Sequence, residues 1–221
     1  MIDNVIAIDG PAASGKSTIA QKVSETLSIP YISTGNMYRA LTWYALQKGL
    51  DLNNPDEKAM KDLLATAELT YAKAGDKFEI RLNKQEMGPL IRAPEVTSHV
   101  SNLAAMPCVR EWMLDKQRSL AKLGLIVMEG RDIGTVIFPG SKNKFFLTAS
   151  PMVRAKRRLA QSGETTDGST IESVAREIEE RDRIDTTRKT APLRKADDAL
   201  LIDSSDMTIE EVVNKIISCV K

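Results

Sequence analysis

The sequence predicts an α/β fold in which a five-stranded parallel sheet is covered by helices on both faces. Short apolar runs recur at residues 5–8, 30–32, 125–128, 145–147 and 200–202, and continuous apolar runs suit strands buried on both faces. Amphipathic stretches alternate with these runs, as crossover helices between parallel strands require. A glycine-containing turn joins the first run to the first helix in a strand–loop–helix order.

Taken in chain order, residues 5–8 form a strand that ends at Asp9, and residues 16–27 form a helix. Residues 30–32 read as a second strand closed by a Ser33-Thr34-Gly35 turn. A helix over 37–48 stops at Gly49, and another opens at Pro55-Asp56-Glu57 and runs to about residue 67. The pattern then changes. Residues 68–73 and 77–82 alternate with period two, Leu69 and Tyr71 marking one face and Phe78, Ile80 and Leu82 another. Ala74-Gly75-Asp76 lies between them, so the pair reads as a β-hairpin inserted into the strand–helix alternation. Asn83-Lys84-Gln85-Glu86 reads as a turn within that insert. Helices resume over 94–105 and 107–123, the latter stopped by Gly124. Ser150-Pro151 starts a further helix, with serine as N-cap and proline in the first turn. Residues 161–170, rich in Ser, Thr and Gly, read as a mobile tip; helices over 171–188 and 208–220 close the chain.

Composition excludes several classes. The 221 residues suit one compact unit, and an apolar fraction of 42% supports a real core. A net charge of +1 gives no general reason to expect nucleic acid or membrane as partner. One histidine, His99, disfavours a histidine metal site or a Ser-His-Asp triad, and Cys108 and Cys219 stand far apart outside any CxxC. With no apolar run near membrane-spanning length and no signal-like pattern over residues 1–9, a soluble cytoplasmic monomer is expected.

Gly10-Pro11-Ala12-Ala13-Ser14-Gly15-Lys16-Ser17 matches GxxxxGK[ST], the P-loop pattern, in its proper context. Gly10 and Gly15 let the backbone curl so that several N–H groups face one anion, and the helix N-terminus adds partial positive charge. Lys16, placed on an exposed loop, is expected to reach the β- and γ-phosphates, and the Ser17 hydroxyl to ligate magnesium. The motif specifies a nucleoside triphosphate and leaves open a small-molecule kinase, a GTP-operated switch or a mechanical ATPase. A switch needs an NKxD-type base reader, which the NKQE of the hairpin does not supply. A mechanical ATPase shows a strand ending in an acidic pair, whereas here Met128 leads into Glu129-Gly130-Arg131, an active-site turn suited to an anion.

Ligands of open parallel sheets bind beyond the carboxyl ends of the strands. There the second and third runs lead into Ser33-Thr34-Gly35-Asn36-Met37-Tyr38-Arg39 and Glu129-Gly130-Arg131-Asp132-Ile133-Gly134. Arg39 and Arg131 are suited to bidentate phosphate binding. No general base stands out, which fits a phosphate acceptor that is already largely dianionic at neutral pH. In the helix over 171–188, Ile171, Val174 and Ile178 mark the inward face, and the same rhythm continues to Arg181, Asp185 and Arg188. The alternative is a structural ion-pair network at the helix end. Arg154, Arg157 and Arg158 share one face of the preceding helix, so the two helices read either as a lid over phosphates or, for the Arg154 group, as a solvated basic face.

These residues resemble the bacterial cytidylate kinases over nearly the whole chain. The resemblance rests on IDGPAASGKST (8–18), TGNMYRA (34–40), the hairpin insert, IRAPEVTSHVS (91–101), VRE (109–111), GRDIGTVIFP (130–139), ERDRID (180–185) and APL (191–193). It implies a single kinase domain over residues 1–221 with the three-layer P-loop NTPase fold. It further implies a β-containing monophosphate-binding insert over about 38–105 and a short helical lid over about 151–189. The implied reaction is ATP plus CMP or dCMP giving ADP plus CDP or dCDP, with Mg2+; the alternative acceptor is another monophosphate such as UMP. ATP is expected on Gly10, Pro11, Ala12, Ala13, Ser14, Gly15, Lys16, Ser17, Thr18 and Arg157. Arg39 and Arg131, with Thr34, Gly35 and Tyr38, would take the CMP phosphate; Ser101, Arg110, Asp132 and Arg188 the cytosine; Arg181 and Asp185 the sugar hydroxyls. Lys16, Arg131, Arg181 and Arg188 would be catalytic. Relatives usually carry aspartate where this chain has Ser33, so no acidic contact is expected from that turn.

Overall fold

A computed structural model of the chain describes residues 4–74, 77–161, 165 and 168–220. Gly75 and Asp76 of the hairpin turn, and residues 162–164 and 166–167 of the tip read as mobile, lie outside the described residues. The central sheet holds β1 (Val5–Asp9), β2 (Tyr31–Ser33), β6 (Ile126–Gly130), β7 (Asn143–Thr148) and β8 (Leu200–Asp203), all parallel, in the order β2-β6-β1-β7-β8.

Alternation along β1 shows why the runs are continuously apolar. Ile6 and Ile8 face α1 (Lys16–Leu27) and α8 (Ile209–Cys219), packing with Ile19, Val23, Val212 and Ile216. Val5 and Ala7 face the opposite side, packing with Ile32, Met128, Ile133 and Phe138. Each face thus removes its apolar area from water independently, so both sets of alternate positions must be hydrophobic.

A separate core organises the insert. It joins α2 (Thr34–Gln47), α3 (Glu57–Thr66), β3 (Leu69–Ala74), β4 (Lys77–Leu82), α4 (Pro94–Ala105) and α5 (Pro107–Ser119) around Met37, Leu41, Met60, Leu82, Leu103 and Met113. The hydrophobic unit therefore reaches past residue 105 into α5. Tyr71 of β3 touches both this core and the sheet core, and its hydroxyl donates to the Ser33 carbonyl at 2.9 Å.

Several local expectations are corrected. Thr34 and Gly35 form the first turn of α2, because the Ser33 hydroxyl caps the helix by accepting from Asn36 N. Leu69 pairs with Leu82 and Tyr71 with Ile80, so the two apolar sets of the hairpin share one face. Asn83 and Lys84 make a tight turn with φ of 49° and 68°, and Gln85–Glu86 is a third short strand, β5. The helix over 107–123 ends at Ser119 and tightens into a 3-10 turn over Leu120–Leu123 before Gly124. Glu129 and Gly130 belong to β6, in register with Ile8 and Asp9, so the turn begins only at Arg131. A π-helical turn, Ile133–Ile137, follows it.

Candidate active site

A cleft of about 340 Å³ opens beyond the carboxyl ends of the strands, between the phosphate-loop motif, the insert and the helices α6 (Pro151–Leu159) and α7 (Ile171–Thr187). Residues 13–18 form its floor. Gly10, at φ 153°, lies so close to β7 that a Cβ would collide with the Leu147 carbonyl. The N-terminus of α1 has no side-chain cap and no acidic residue in its first turn, which leaves its partial positive charge for an anion.

Lys16 does not stand on an exposed loop. It is the first residue of α1, buried, with Nζ donating to Pro11 O at 2.7 Å and Ser14 Oγ at 3.3 Å. Burial and the nearby Arg131 hold its pKa well below the ordinary lysine value, against the pull of Glu129 and Asp182. An entering phosphate would reverse that balance.

The loop carbonyls are tied back by the α6 arginines. Arg154 donates to Ala12 O at 3.1 Å and pairs with Asp182, which in turn accepts from Ala12 N at 2.9 Å. Arg157 donates to Ser14 O at 3.1 Å and grips Ser204 through two bonds. Arg158 is buried and lines the cleft. The three are therefore not a solvated face. Ala12 packs with Ala155, Val174 and Ile178, so the apolar stripe of α7 clamps α6 against the loop.

Across the cleft stand Arg39, Arg92, Arg131 and Arg181. Arg39 is oriented by the insert, through Ile91 O at 3.0 Å and Thr97 Oγ1 at 2.8 Å. Burial, followed by neighbouring arginines, lowers the pKa of Arg39, pushes that of Arg158 down to about 9 and that of Arg181 to about 10. Arg181 Nε is buried with no hydrogen-bond partner among the described residues. So many cations in one place are costly unless an anion joins them.

Behind this wall lies a buried ionic chain. Arg131 Nε donates to Asp185 Oδ2 at 2.9 Å; Asp185 Oδ1 lies 3.6 Å from Arg188 Nη1; Arg188 Nη2 lies 3.4 Å from Asp132 Oδ1; and Arg110 pairs with Asp132 Oδ2. The principal partner of Asp185 is thus Arg131 and not Arg181, which acts on it only through the field. Burial opposes ionisation of Asp185, yet Arg131, Arg181 and Arg188 outweigh it and hold its pKa below the ordinary value. Arg188 lies one residue beyond α7, where extended backbone turns it towards Asp132. Tyr38 is buried, with its ring under the Arg110 guanidinium and its hydroxyl without a hydrogen-bond partner among the described residues. Ser101 is buried on α4. Tyr38, Arg110, Asp132, Asp185 and Arg188 thus stand in this inner layer, while Gly35, Arg39, Arg131 and Arg181 reach the cleft wall and Thr34 donates to Glu129 O.

Sequence reasoning missed Glu129. Its Oε1 accepts from Ser33 Oγ at 2.5 Å and Ser17 Oγ at 3.1 Å, and lies 3.4 Å from the Tyr31 hydroxyl. A carboxylate thus reaches the place beside Ser33 from the neighbouring strand. The oxygens of Ser17 and Glu129 are hard donors of the kind magnesium prefers. Asp182 and Arg92 were missed as well. Only the i, i+4 spacing of Asp182 from Ile178 hinted that it faces inward.

A family model described as cytidylate kinase matches residues 6–221. A cytidylate kinase of Desulforamulus reducens is 47% identical over 216 residues, covering 98% of this chain and 96% of the relative. One of Geobacillus sp. (strain WCH70) is 46% identical over 215 residues, covering 97% and 95%. The crystal structure of an uncharacterized protein from Eubacterium ventriosum superposes with a TM-score of 0.51 at 16% identity, covering 99% of this chain and 98% of that one, a likeness of fold alone.

Proposed function

Since the chain belongs to the cytidylate kinase family, we propose that this cleft is where the γ-phosphoryl group of ATP passes to CMP or dCMP, giving ADP and CDP or dCDP. The observation that carries the assignment of the site is the convergence of Lys16, Arg39, Arg131, Arg158 and Arg181 on one cleft, above a helix N-terminus free for an anion.

The chemistry asks little of proton transfer. The acceptor phosphate is mostly dianionic at neutral pH, so the obstacle is bringing two anions together. ATP lies with its phosphates on residues 10–18, and Arg157 borders them. Lys16 meets the β- and γ-oxygens. Arg39 and Arg131 hold the acceptor phosphate in line, and Arg181, whose Nε has no hydrogen-bond partner among the described residues, meets the charge that develops between them. Ser17 would hold Mg2+ together with the ATP phosphates, Glu129 orienting its hydroxyl; the ion draws charge from the transferring group.

On the acceptor side, Asp185 and Arg181 address the sugar, and Ser101, Arg110, Asp132 and Arg188 the base. Asp132 accepts from the cytosine amino group, for which Oδ1, only loosely held by Arg188 at 3.4 Å, is available. Uracil would set a carbonyl against that carboxylate, which disfavours UMP. The insert over about 38–105 brings Tyr38, Arg39 and Ser101 to the acceptor, and the lid over about 151–189 closes over the phosphates. The chain acts as a cytoplasmic monomer without nucleic acid or membrane. In support of the monomer, the exposed large apolar side chains are divided among the segment after α5 (Leu123, Leu125), α6 (Met152), β8 (Leu200, Leu201) and α8 (Ile209); among the described residues no helix is long and apolar enough to cross a membrane.

Asp132→Ala tests the base assignment. Loss of a buried hydrogen-bonding partner typically costs about 1–3 kcal/mol, so the CMP/UMP ratio of kcat/KM should fall by roughly 5- to 150-fold. An unchanged ratio would show that Asp132 does not read the base.

A further inference from the structure

Asp132 stands at the N-cap of the π-helical turn Ile133–Ile137, and aspartate is among the best capping residues. Yet its side chain makes no capping bond. Its carboxylate points the other way, to Arg110 and Arg188. Two of the orphan amides of the turn are satisfied from a strand distant in sequence. Asp9, the last residue of β1, accepts from Ile133 N through Oδ1 at 2.8 Å and from Gly134 N through Oδ2 at 2.8 Å. The fit is close on every side: a Cβ on Gly134 would lie 3.4 Å from Asp9 Oδ2 and 3.1 Å from the Lys144 side chain. Asp9 itself is buried, and Gly10 of the phosphate loop follows it directly.

A free Asp132 has two competing uses. It can cap its own turn, the low-cost local choice for an aspartate at this position, or it can face the arginines. We infer that Asp9 is a positioning residue for base recognition: by capping the Ile133–Ile137 turn from β1, it relieves Asp132 of that role and keeps the Asp132 carboxylate turned towards Arg110, Arg188 and the base. The inference rests on the reading of Asp132 as the base reader. It also gives the acceptor base a mechanical link to the strand that carries the phosphate loop, since one residue ends β1 and holds the turn.

Asp9→Asn tests this directly. An amide can accept from only one of the two N–H groups and presents its own NH2 to the other, so Asp132 is drawn back to cap the turn. The CMP/UMP ratio of kcat/KM should fall about tenfold, while KM for ATP stays within about twofold of the parent. The decisive measurement is a double-mutant cycle with Asp132→Ala. If Asp9 acts through Asp132, the double variant shows the same CMP/UMP ratio as Asp132→Ala alone. A ratio equal to the product of the two single effects overturns the inference, as does an unchanged ratio in Asp9→Asn when Asp132→Ala lowers it. If Asp132→Ala itself leaves the ratio unchanged, the base-reading assignment fails and the inference falls with it. Should Asp9→Asn not fold, Asp9→Ser, which accepts from one amide without presenting an NH2 group, takes its place in the same cycle.

Discussion

Lys16→Ala should abolish phosphoryl transfer while leaving a folded protein. Loss of one preorganised cation at a transferring phosphoryl group commonly costs on the order of 10²–10³ in rate. Here the loss should lie at or beyond the upper end, because Lys16 also bridges Pro11 O and Ser14 Oγ and so shapes the loop that receives the phosphates. Stability should suffer less than burial alone suggests. In the absence of phosphate this ammonium is held in an environment that opposes its charge, so removing it relieves a cost while it forfeits two hydrogen bonds. Single-turnover kinetics and thermal unfolding on one preparation check both halves. Near-normal turnover in a well-folded variant would reject this cleft as the site of transfer.

Asp185→Ala should raise KM for CMP and depress kcat together. Asp185 is the carboxylate between Arg131, which reaches the cleft, and Arg188, which reaches Asp132. Without it the acceptor-phosphate arginine and the base-reading pair lose their common anchor, and the rate loss should again be on the order of 10²–10³. A 2′,3′-dideoxy analogue of CMP, lacking the sugar hydroxyls, should lose less than CMP does. Breaking a buried pair also costs roughly 3–5 kcal/mol of stability, which is the competing explanation. The acid side of the stability profile separates the two. The pKa of Asp185 lies below its ordinary 3.8, so its contribution is fully present above that value and is lost as pH falls through the lower, folded-state pKa. The variant should therefore show a flatter stability curve below about pH 4. A variant with a greatly lowered Tm but unaltered kinetic constants at low temperature would make the ionic chain structural only.

What was legible in the sequence is what local pattern encodes. The apolar runs, the phosphate loop, the hairpin and the Ile171–Val174–Ile178 stripe each declare themselves within a few residues. The α2 start was misread because Ser-Thr-Gly has the composition of a turn; the Ser33 cap shows that the helix had already begun. What was not legible joins residues far apart in the chain. Asp182 reaches Ala12 across 170 positions, Asp9 reaches Ile133 across 124 and Ser17 reaches Glu129 across 112. No periodicity can report such contacts, since they exist only once β1 and β6 lie side by side and α7 folds back over the loop. One partner of Asp185 is hidden for the same reason: helical spacing points to Arg181 and Arg188, and Arg188 does stand 3.6 Å away, but the hydrogen bond goes to Arg131 beyond β6.

The most direct test of the central claim is ADP release by the unmodified protein with ATP and Mg2+, measured in a coupled assay against CMP, dCMP, UMP, AMP and GMP. Acceptance of CMP and dCMP well ahead of UMP, with AMP and GMP at background, is the predicted result. ADP release that does not depend on CMP, or that follows UMP or a purine monophosphate in preference to CMP, would contradict it.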